Sequence, residues 1–243
     1  MKQIGLIGFP LEHSFSQRYF TEKFEREAIE NIRYENFPIE SVNRFPELLN
    51  NHPNLVGLNV TIPYKSAIIP HLDELDEHAS QIGAVNTIRI ENGRSIGYNT
   101  DWLGFKNSLT PHLSSPIDRA LLLGSGGAAK GVGYALQNMG IHAQVVSRNP
   151  AEDEWVYDKI EAATLNEFPL IVNCTPLGTY PNNEGLPQLP YDALDSNHLL
   201  FDLVYNPPIT AFMQQGLDAG ARAINGYEML VYQAEAAWEI WNA

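Results

Sequence analysis

Two kinds of residue cluster in this chain are placed to do chemistry. One is a glycine-rich turn, Gly124-Ser125-Gly126-Gly127-Ala128-Ala129, directly after the apolar run Leu121-Leu122-Leu123. The spacing G-x-G-x-x-A between a strand and a helix lets the backbone turn sharply and approach a pyrophosphate, whose charge then lies at a helix N-terminus. The other is a set of polar residues gathered where strands end: His13-Ser14-Phe15-Ser16, Asn59-Val60-Thr61-Ile62-Pro63-Tyr64-Lys65, Ala84-Val85-Asn86-Thr87 and Asn99-Thr100-Asp101. Ligands of open α/β sheets bind beyond the carboxyl ends of strands. A ring of hydroxyls and amides there suits a small polyhydroxylated ligand. Lys65 and Asp101 are its only charged members expected to be partly buried. Taken singly, Ser14, Ser16 and Thr61 also read as caps.

These clusters need elements to position them, and the chain supplies strands and helices in alternation. Strands are expected over 2–8, 33–38, 55–60, 84–90 and 94–98, the last two joined by a hairpin at Glu91-Asn92-Gly93. Helices are expected from Ser14 or Ser16 to about Ile29, over 42–50, 64–69, 73–81 and 101–109. Pro111 and Ser114-Ser115-Pro116 then mark a joint. A second series follows, with strands at 119–123, 143–147, 170–173, 199–204 and 223–224. Its helices span 127–139, 210–219 and about 227–241. Repeated alternation argues two α/β units with mainly parallel sheets.

Composition limits the partners. The chain has 243 residues and a formal net charge of −14. No basic stripe is present to neutralise phosphates, which argues against a nucleic-acid partner. An anionic ligand must therefore be met by local donors. The single Cys174 excludes an intrachain disulfide framework and a cysteine zinc cluster, and it reads as a small core residue at a strand end. No metal is expected. No stretch has the apolar length of a membrane span, the N-terminus reads as a buried strand, and the default compartment is the cytoplasm. Monomer and homodimer are both open.

The strand after the glycine turn qualifies the cofactor. In NAD-binding units that second strand ends in a carboxylate, which accepts from the ribose 2′-hydroxyl. Here it ends Val145-Val146-Ser147-Arg148-Asn149. A guanidinium pairs well with a phosphate, so NADP is expected over NAD. The alternatives are that Arg148 is a solvated loop residue, and that Glu152, Asp153 or Glu154 turns inward to oppose a 2′-phosphate.

The clusters in combination resemble the shikimate dehydrogenases. The matching pieces are Gly8-Phe9-Pro10 with His13–Ser16, Asn59–Lys65, Gly83–Thr87, Gly97–Asp101, Gly124–Ala129, Asn173–Gly178, Asp202–Pro207, and Gly226 through Met229-Leu230-Val231 to Gln233-Ala234. They fall in the family's order over nearly the whole chain. The resemblance implies reversible NADP-linked oxidation of shikimate to 3-dehydroshikimate in aromatic amino-acid (chorismate) biosynthesis. It implies a substrate domain of 1–101 plus 226–243 around a Rossmann-like NADP domain of 102–225. By position, Lys65 and Asp101 would be the catalytic pair. Ser14, Ser16, Thr61, Asn86, Tyr205 and Gln233 would hold the substrate, and Gly124, Ser125, Gly126, Gly127, Ala128, Ser147, Arg148, Leu203 and Gly226 would line the cofactor.

The chemistry suits that assignment. Hydride addition to a ketone leaves an alkoxide, so a proton must arrive in concert. An ammonium beside the carbonyl donates it, and a neighbouring carboxylate favours the charged amine. Oxidation needs the amine uncharged and is expected to quicken at alkaline pH. Phe15 stands where the family commonly has a small or basic residue and Trp102 where glycine is usual, and both would narrow or reshape the pocket; Asn149 stands where threonine is common. The competing readings are a relative acting on quinate or another ring acid, with NAD, and a silent dinucleotide-binding protein, against which Lys65 and Asp101 together argue.

Overall fold

The computed structural model describes every residue except Glu12, His13 and Ser14. It divides into two compact units, Met1–Thr100 with Ala234–Ala243, and Asp101–Gln233.

The first unit contains β1 (Lys2–Gly8), α1 (Phe15–Arg26), β2 (Ile32–Pro38), α2 (Phe45–Asn51), β3 (Leu55–Val60), β4 (Glu74–Leu75), α3 (Glu77–Ile82), β5 (Thr87–Glu91) and β6 (Arg94–Tyr98). Its sheet runs β2-β1-β3-β5-β6-β4. β1 pairs in parallel with β2 and β3, and β5 then pairs antiparallel with both β3 and β6. The sheet is thus mixed, not mainly parallel, because the hairpin at Asn92 and Gly93 reverses the chain. Both residues have positive φ, 51° and 77°, as a two-residue hairpin turn requires.

Three other expectations differ from the structure. The segment after β3 makes turns, not a helix: the Lys65 carbonyl accepts from the Val85 N–H at 2.7 Å, a partner outside any helical ladder. The segment from Asp73 is not helical at its start either. The Asp73 carboxylate accepts from the Ser95 N–H at 2.7 Å, Glu74 and Leu75 pair with β6, and Asp76 caps α3. Ser16 lies within the first turn of α1 and does not precede it.

Both faces of this sheet are covered. Ile7, Phe37, Phe45, Leu48, Leu58, Val60, Ile68 and Ile88 form one core. Ile4, Leu6, Phe20, Phe24, Tyr34, Ala234, Ala237 and Trp241 form the other. The Trp241 indole N–H donates to the Ile88 carbonyl at 3.0 Å, and its ring lies over Gly57, where an added Cβ would sit 2.3 Å from it. Gly57→Ala is therefore expected to destabilise the protein by about 1–3 kcal/mol, the usual cost of overpacking. Urea unfolding measures this, and an unchanged midpoint would show that the indole moves aside freely.

The second unit contains α4 (Asp101–Leu109), β7 (Arg119–Leu123), α5 (Gly127–Asn138), β8 (His142–Val146), α6 (Ala162–Leu165), β9 (Leu170–Asn173), β10 (Leu199–Asp202), α7 (Ala211–Asp218), β11 (Arg222–Asn225) and α8 (Tyr227–Asn242), within which the division falls. All its strand pairs are parallel, in the order β11-β10-β9-β7-β8. Alternate residues of β7 serve opposite cores: Ala120 and Leu122 join Val132, Leu136 and Phe201, whereas Leu121 and Leu123 join Ile171, Leu200 and Phe212. A strand buried on both faces reads as a continuous apolar run, which is why the sequence marks β7 so clearly.

Candidate functional site

Each sheet has a point where strand order reverses, and there the loops from neighbouring strand ends diverge and leave a crevice. In the first unit it lies between β1 and β3. Thr61 follows β3, and its N–H donates to the Ile7 carbonyl at 2.9 Å. Its methyl lies against Gly8, where an added Cβ would be 2.5 Å away. Lys65 follows one turn later and is half-buried.

Behind these residues a buried hydrogen-bond chain crosses the sheet. The Ser16 hydroxyl bonds the Tyr34 phenol, whose acidity is suppressed chiefly by burial. Tyr34 donates to Asn59 Oδ1 at 2.8 Å. Asn59 Nδ2 donates to the Asn86 carbonyl and Thr87 Oγ1, each at 3.3 Å. Asn86 Oδ1 accepts from the Thr100 N–H at 2.7 Å, and Asn86 Nδ2 donates to Thr100 Oγ1 at 2.9 Å. Ser16 and Asn86 are thereby tied into one network with Asn59, Thr87 and Thr100, members of the polar clusters that the sequence marks, and with Tyr34, which it does not. A buried network with this many partners holds its members in one geometry. The signal was present as polar residues inside apolar strands, as in Leu58-Asn59-Val60. Ser14 lies outside the described residues.

In the second unit the crevice lies between β7 and β9. Gly124 takes φ +108°, and a Cβ there would be 3.2 Å from Thr175 Cγ2 and 3.4 Å from the Cys174 carbonyl carbon. A side chain at Gly126, by contrast, would meet open space. No side chain caps α5, which starts at Gly127. Ser125 and Gly126 are exposed; Gly127 and Ala128 are half-buried. This cradle fits a pyrophosphate: donors at a helix N-terminus, a backbone without side chains, and room in front. Leu203 and Gly226 meet on the same edge, since an added Cβ at Gly226 would be 2.3 Å from the Leu203 carbonyl oxygen. Ser147 is buried at the end of β8, with Arg148 exposed beside it.

Asp101 opens α4 and is buried, where the helix N-terminus favours a carboxylate. One turn on, Gly104 packs against α8, an added Cβ there lying 2.6 Å from the Met229 carbonyl and 3.0 Å from Gln233 Cβ. Asp101 and Gln233 thus stand on touching helices. Tyr205, half-buried, follows β10. Trp102 sets its ring edge-on to Tyr134 of α5, centroids 5.6 Å apart, and Phe15 stacks on Tyr19 at 5.5 Å.

Cys174 follows β9, and its thiol is made far less acidic than usual, first by burial and then by the Asp202 and Asp101 carboxylates. A protonated thiol is a poor nucleophile. The native protein is expected to resist a disulfide reagent at neutral pH and to titrate as one thiol once unfolded; rapid native reaction would refute this. Among the described residues no group of His, Cys, Asp and Glu is arranged to hold a metal, and no helix is long and apolar enough to cross a membrane.

Comparison with known proteins identifies the scaffold. The chain is 37% identical over 257 residues to a shikimate dehydrogenase (NADP(+)) of Methanococcus maripaludis, covering 99% of this chain and 92% of that one. The chain belongs to the shikimate dehydrogenase family. The family model for the shikimate dehydrogenase substrate binding domain matches residues 6–88, the part holding Ser16, Thr61, Lys65 and Asn86. The shikimate 5-dehydrogenase from Thermus thermophilus, solved in complex with NADP(H) and shikimate, superposes with a TM-score of 0.88 at 29% identity over 99% of this chain and 93% of that one. A quinate dehydrogenase from Corynebacterium glutamicum, solved with NAD, superposes at 0.86 with 25% identity, over 99% and 93%. The family likeness thus spans both units and their glycine-lined and polar strand ends.

Proposed function

We propose that this protein is a cytoplasmic oxidoreductase that interconverts shikimate and 3-dehydroshikimate with NADP, a step of aromatic amino-acid biosynthesis. The observation that carries this reading is the full-length likeness, at 37% identity, to a shikimate dehydrogenase (NADP(+)). Bound NADP would supply the hydride chemistry at the carbinol carbon. The protein's own part is to bind, orient and move the proton. Lys65 Nζ takes the proton of the reacting hydroxyl in oxidation and returns it in reduction, with Asp101 as the second catalytic residue. Ser14, Ser16, Thr61, Asn86, Tyr205 and Gln233 bind the substrate carboxylate and remaining hydroxyls. Gly124–Ala128, Ser147, Arg148, Leu203 and Gly226 hold the dinucleotide, and the sterically tight Gly226 and Gly124 keep its path clear.

The test is initial-rate measurement of NADPH and NADH formation, with shikimate and with quinate, in parallel. Shikimate is expected to be oxidised faster than quinate. Faster quinate turnover with NAD would place the chain beside the quinate dehydrogenase, and no turnover with any pair would leave a dinucleotide-binding protein.

A further inference from the structure

The loop after β8 carries an arrangement that the family likeness does not specify. Ser147 Oγ donates to Glu154 Oε2 at 2.9 Å. The Ala151 N–H donates to the same oxygen at 3.2 Å. Further bonds hold the loop in that fold. The Ser147 N–H donates to the Trp155 carbonyl at 2.8 Å, and the Trp155 N–H donates to the Val145 carbonyl at 2.9 Å. Gln144 Nε2 donates to the Asp153 carbonyl at 3.1 Å. Trp155 itself packs edge-on to the buried Phe168, centroids 5.8 Å apart. Of the three acids in the loop, Glu154 is the half-buried one; Glu152 and Asp153 are exposed.

Position gives this carboxylate its meaning. In a doubly wound sheet a dinucleotide held at the first strand's glycine turn sets its adenosine ribose beyond the end of the adjoining strand. In this unit those strands are β7 and β8. A carboxylate at that point accepts from a ribose 2′-hydroxyl, whereas a guanidinium takes a 2′-phosphate. This chain presents both, Arg148 exposed and Glu154 docked on Ser147.

We propose that Glu154 is a cofactor-specificity residue, whose carboxylate accepts from the 2′-hydroxyl of NAD and opposes the 2′-phosphate of NADP. The chain then binds both dinucleotides with affinities within about tenfold of each other, Arg148 favouring one and Glu154 the other. The inference rests on the proposed dinucleotide site but not on the identity of the substrate.

The decisive measurement is the dissociation constant of NADP+ and of NAD+, by calorimetry at fixed ionic strength, for the wild type, Glu154→Gln and Arg148→Gln. Glutamine keeps an acceptor oxygen for Ser147 and Ala151 and removes the charge, so the loop keeps its fold; thermal melting checks this. Glu154→Gln is expected to tighten NADP+ by about tenfold or more and to leave NAD+ equal or weaker. Arg148→Gln is expected to weaken NADP+ alone. The inference is overturned if Glu154→Gln changes both constants by less than about twofold, or if the wild type already binds NADP+ more than about tenfold tighter than NAD+. Binding of both dinucleotides without turnover of shikimate would sink the substrate reading and leave this one standing on the affinities. Binding of neither would sink both.

Discussion

Lys65→Met is expected to lower kcat for shikimate oxidation by roughly 10²–10⁴-fold, the range associated with a lost general acid or base. The substitution preserves the apolar stem and removes the ammonium proposed to carry the proton. It leaves the local fold in place, because the backbone there is fixed by groups other than the ammonium. The Lys65 carbonyl accepts from Val85 at 2.7 Å, and the buried Tyr64 donates its hydroxyl to the Ile39 carbonyl at 2.6 Å. Stability is thus expected to change by less than about 1 kcal/mol. Dinucleotide affinity is also expected to hold, since the glycine cradle is built from the turn before α5 without Lys65. The expected signature is a fall in kcat with an unchanged NADP+ dissociation constant and an unchanged melting temperature. A variant with kcat near wild type would remove Lys65 from the chemistry, and a variant that melts early would instead assign it a structural role.

What the sequence disclosed, and what it withheld, follows from how far apart the interacting groups lie along the chain. The glycine turn, the strands on either side of it and the helix Asp101–Leu109 were legible because their signals are local: an apolar run, a tight turn, a change of period. The Asn92-Gly93 hairpin was legible for the same reason. The short strand Glu74–Leu75 was not, since only pairing with Ile96 and Gly97 makes it a strand. The buried network through Tyr34, Asn59 and Thr87 was equally hidden. Its bonds join residues 25 and 28 positions apart, and nothing in a single sequence says which polar residue answers which. The acids after Arg148 show the limit most clearly. Glu152, Asp153 and Glu154 are interchangeable in composition, and the fold alone selects Glu154 by bringing it back to Ser147.

Asp202 is where a second large effect is expected, on stability. It is fully buried at the end of β10 and accepts three hydrogen bonds: from Asn173 Nδ2 at 2.9 Å, from the Val204 N–H at 3.0 Å and from Thr210 Oγ1 at 2.5 Å. Those donors come from the end of β9, the turn after β10 and the cap of α7, so one carboxylate ties together three loops at the carboxyl edge of the second sheet. Asp202→Ala strands these donors in the interior. At about 1–3 kcal/mol for each unsatisfied group, with the Thr210 hydroxyl free to rotate elsewhere, the loss is about 3–5 kcal/mol, a large share of a typical domain's stability. Urea unfolding measures it, and a midpoint unchanged from wild type would show that the loops hold without the carboxylate. The pH dependence provides a second reading. Burial is the largest influence on this carboxyl and raises it from 3.8 to about 6, against the pull of its three hydrogen bonds. Between those values the folded protein binds more protons than the unfolded chain, so Asp202 makes stability fall as pH rises from about 4 to 6 and adds no slope above that. Asp202→Asn cannot titrate and is expected to remove that component, so that its unfolding free energy falls less, or rises more, with pH across this window than that of the wild type. An identical pH profile in wild type and variant would mean that the carboxylate titrates as it does in the unfolded chain, and that its hydrogen bonds offset its burial in full.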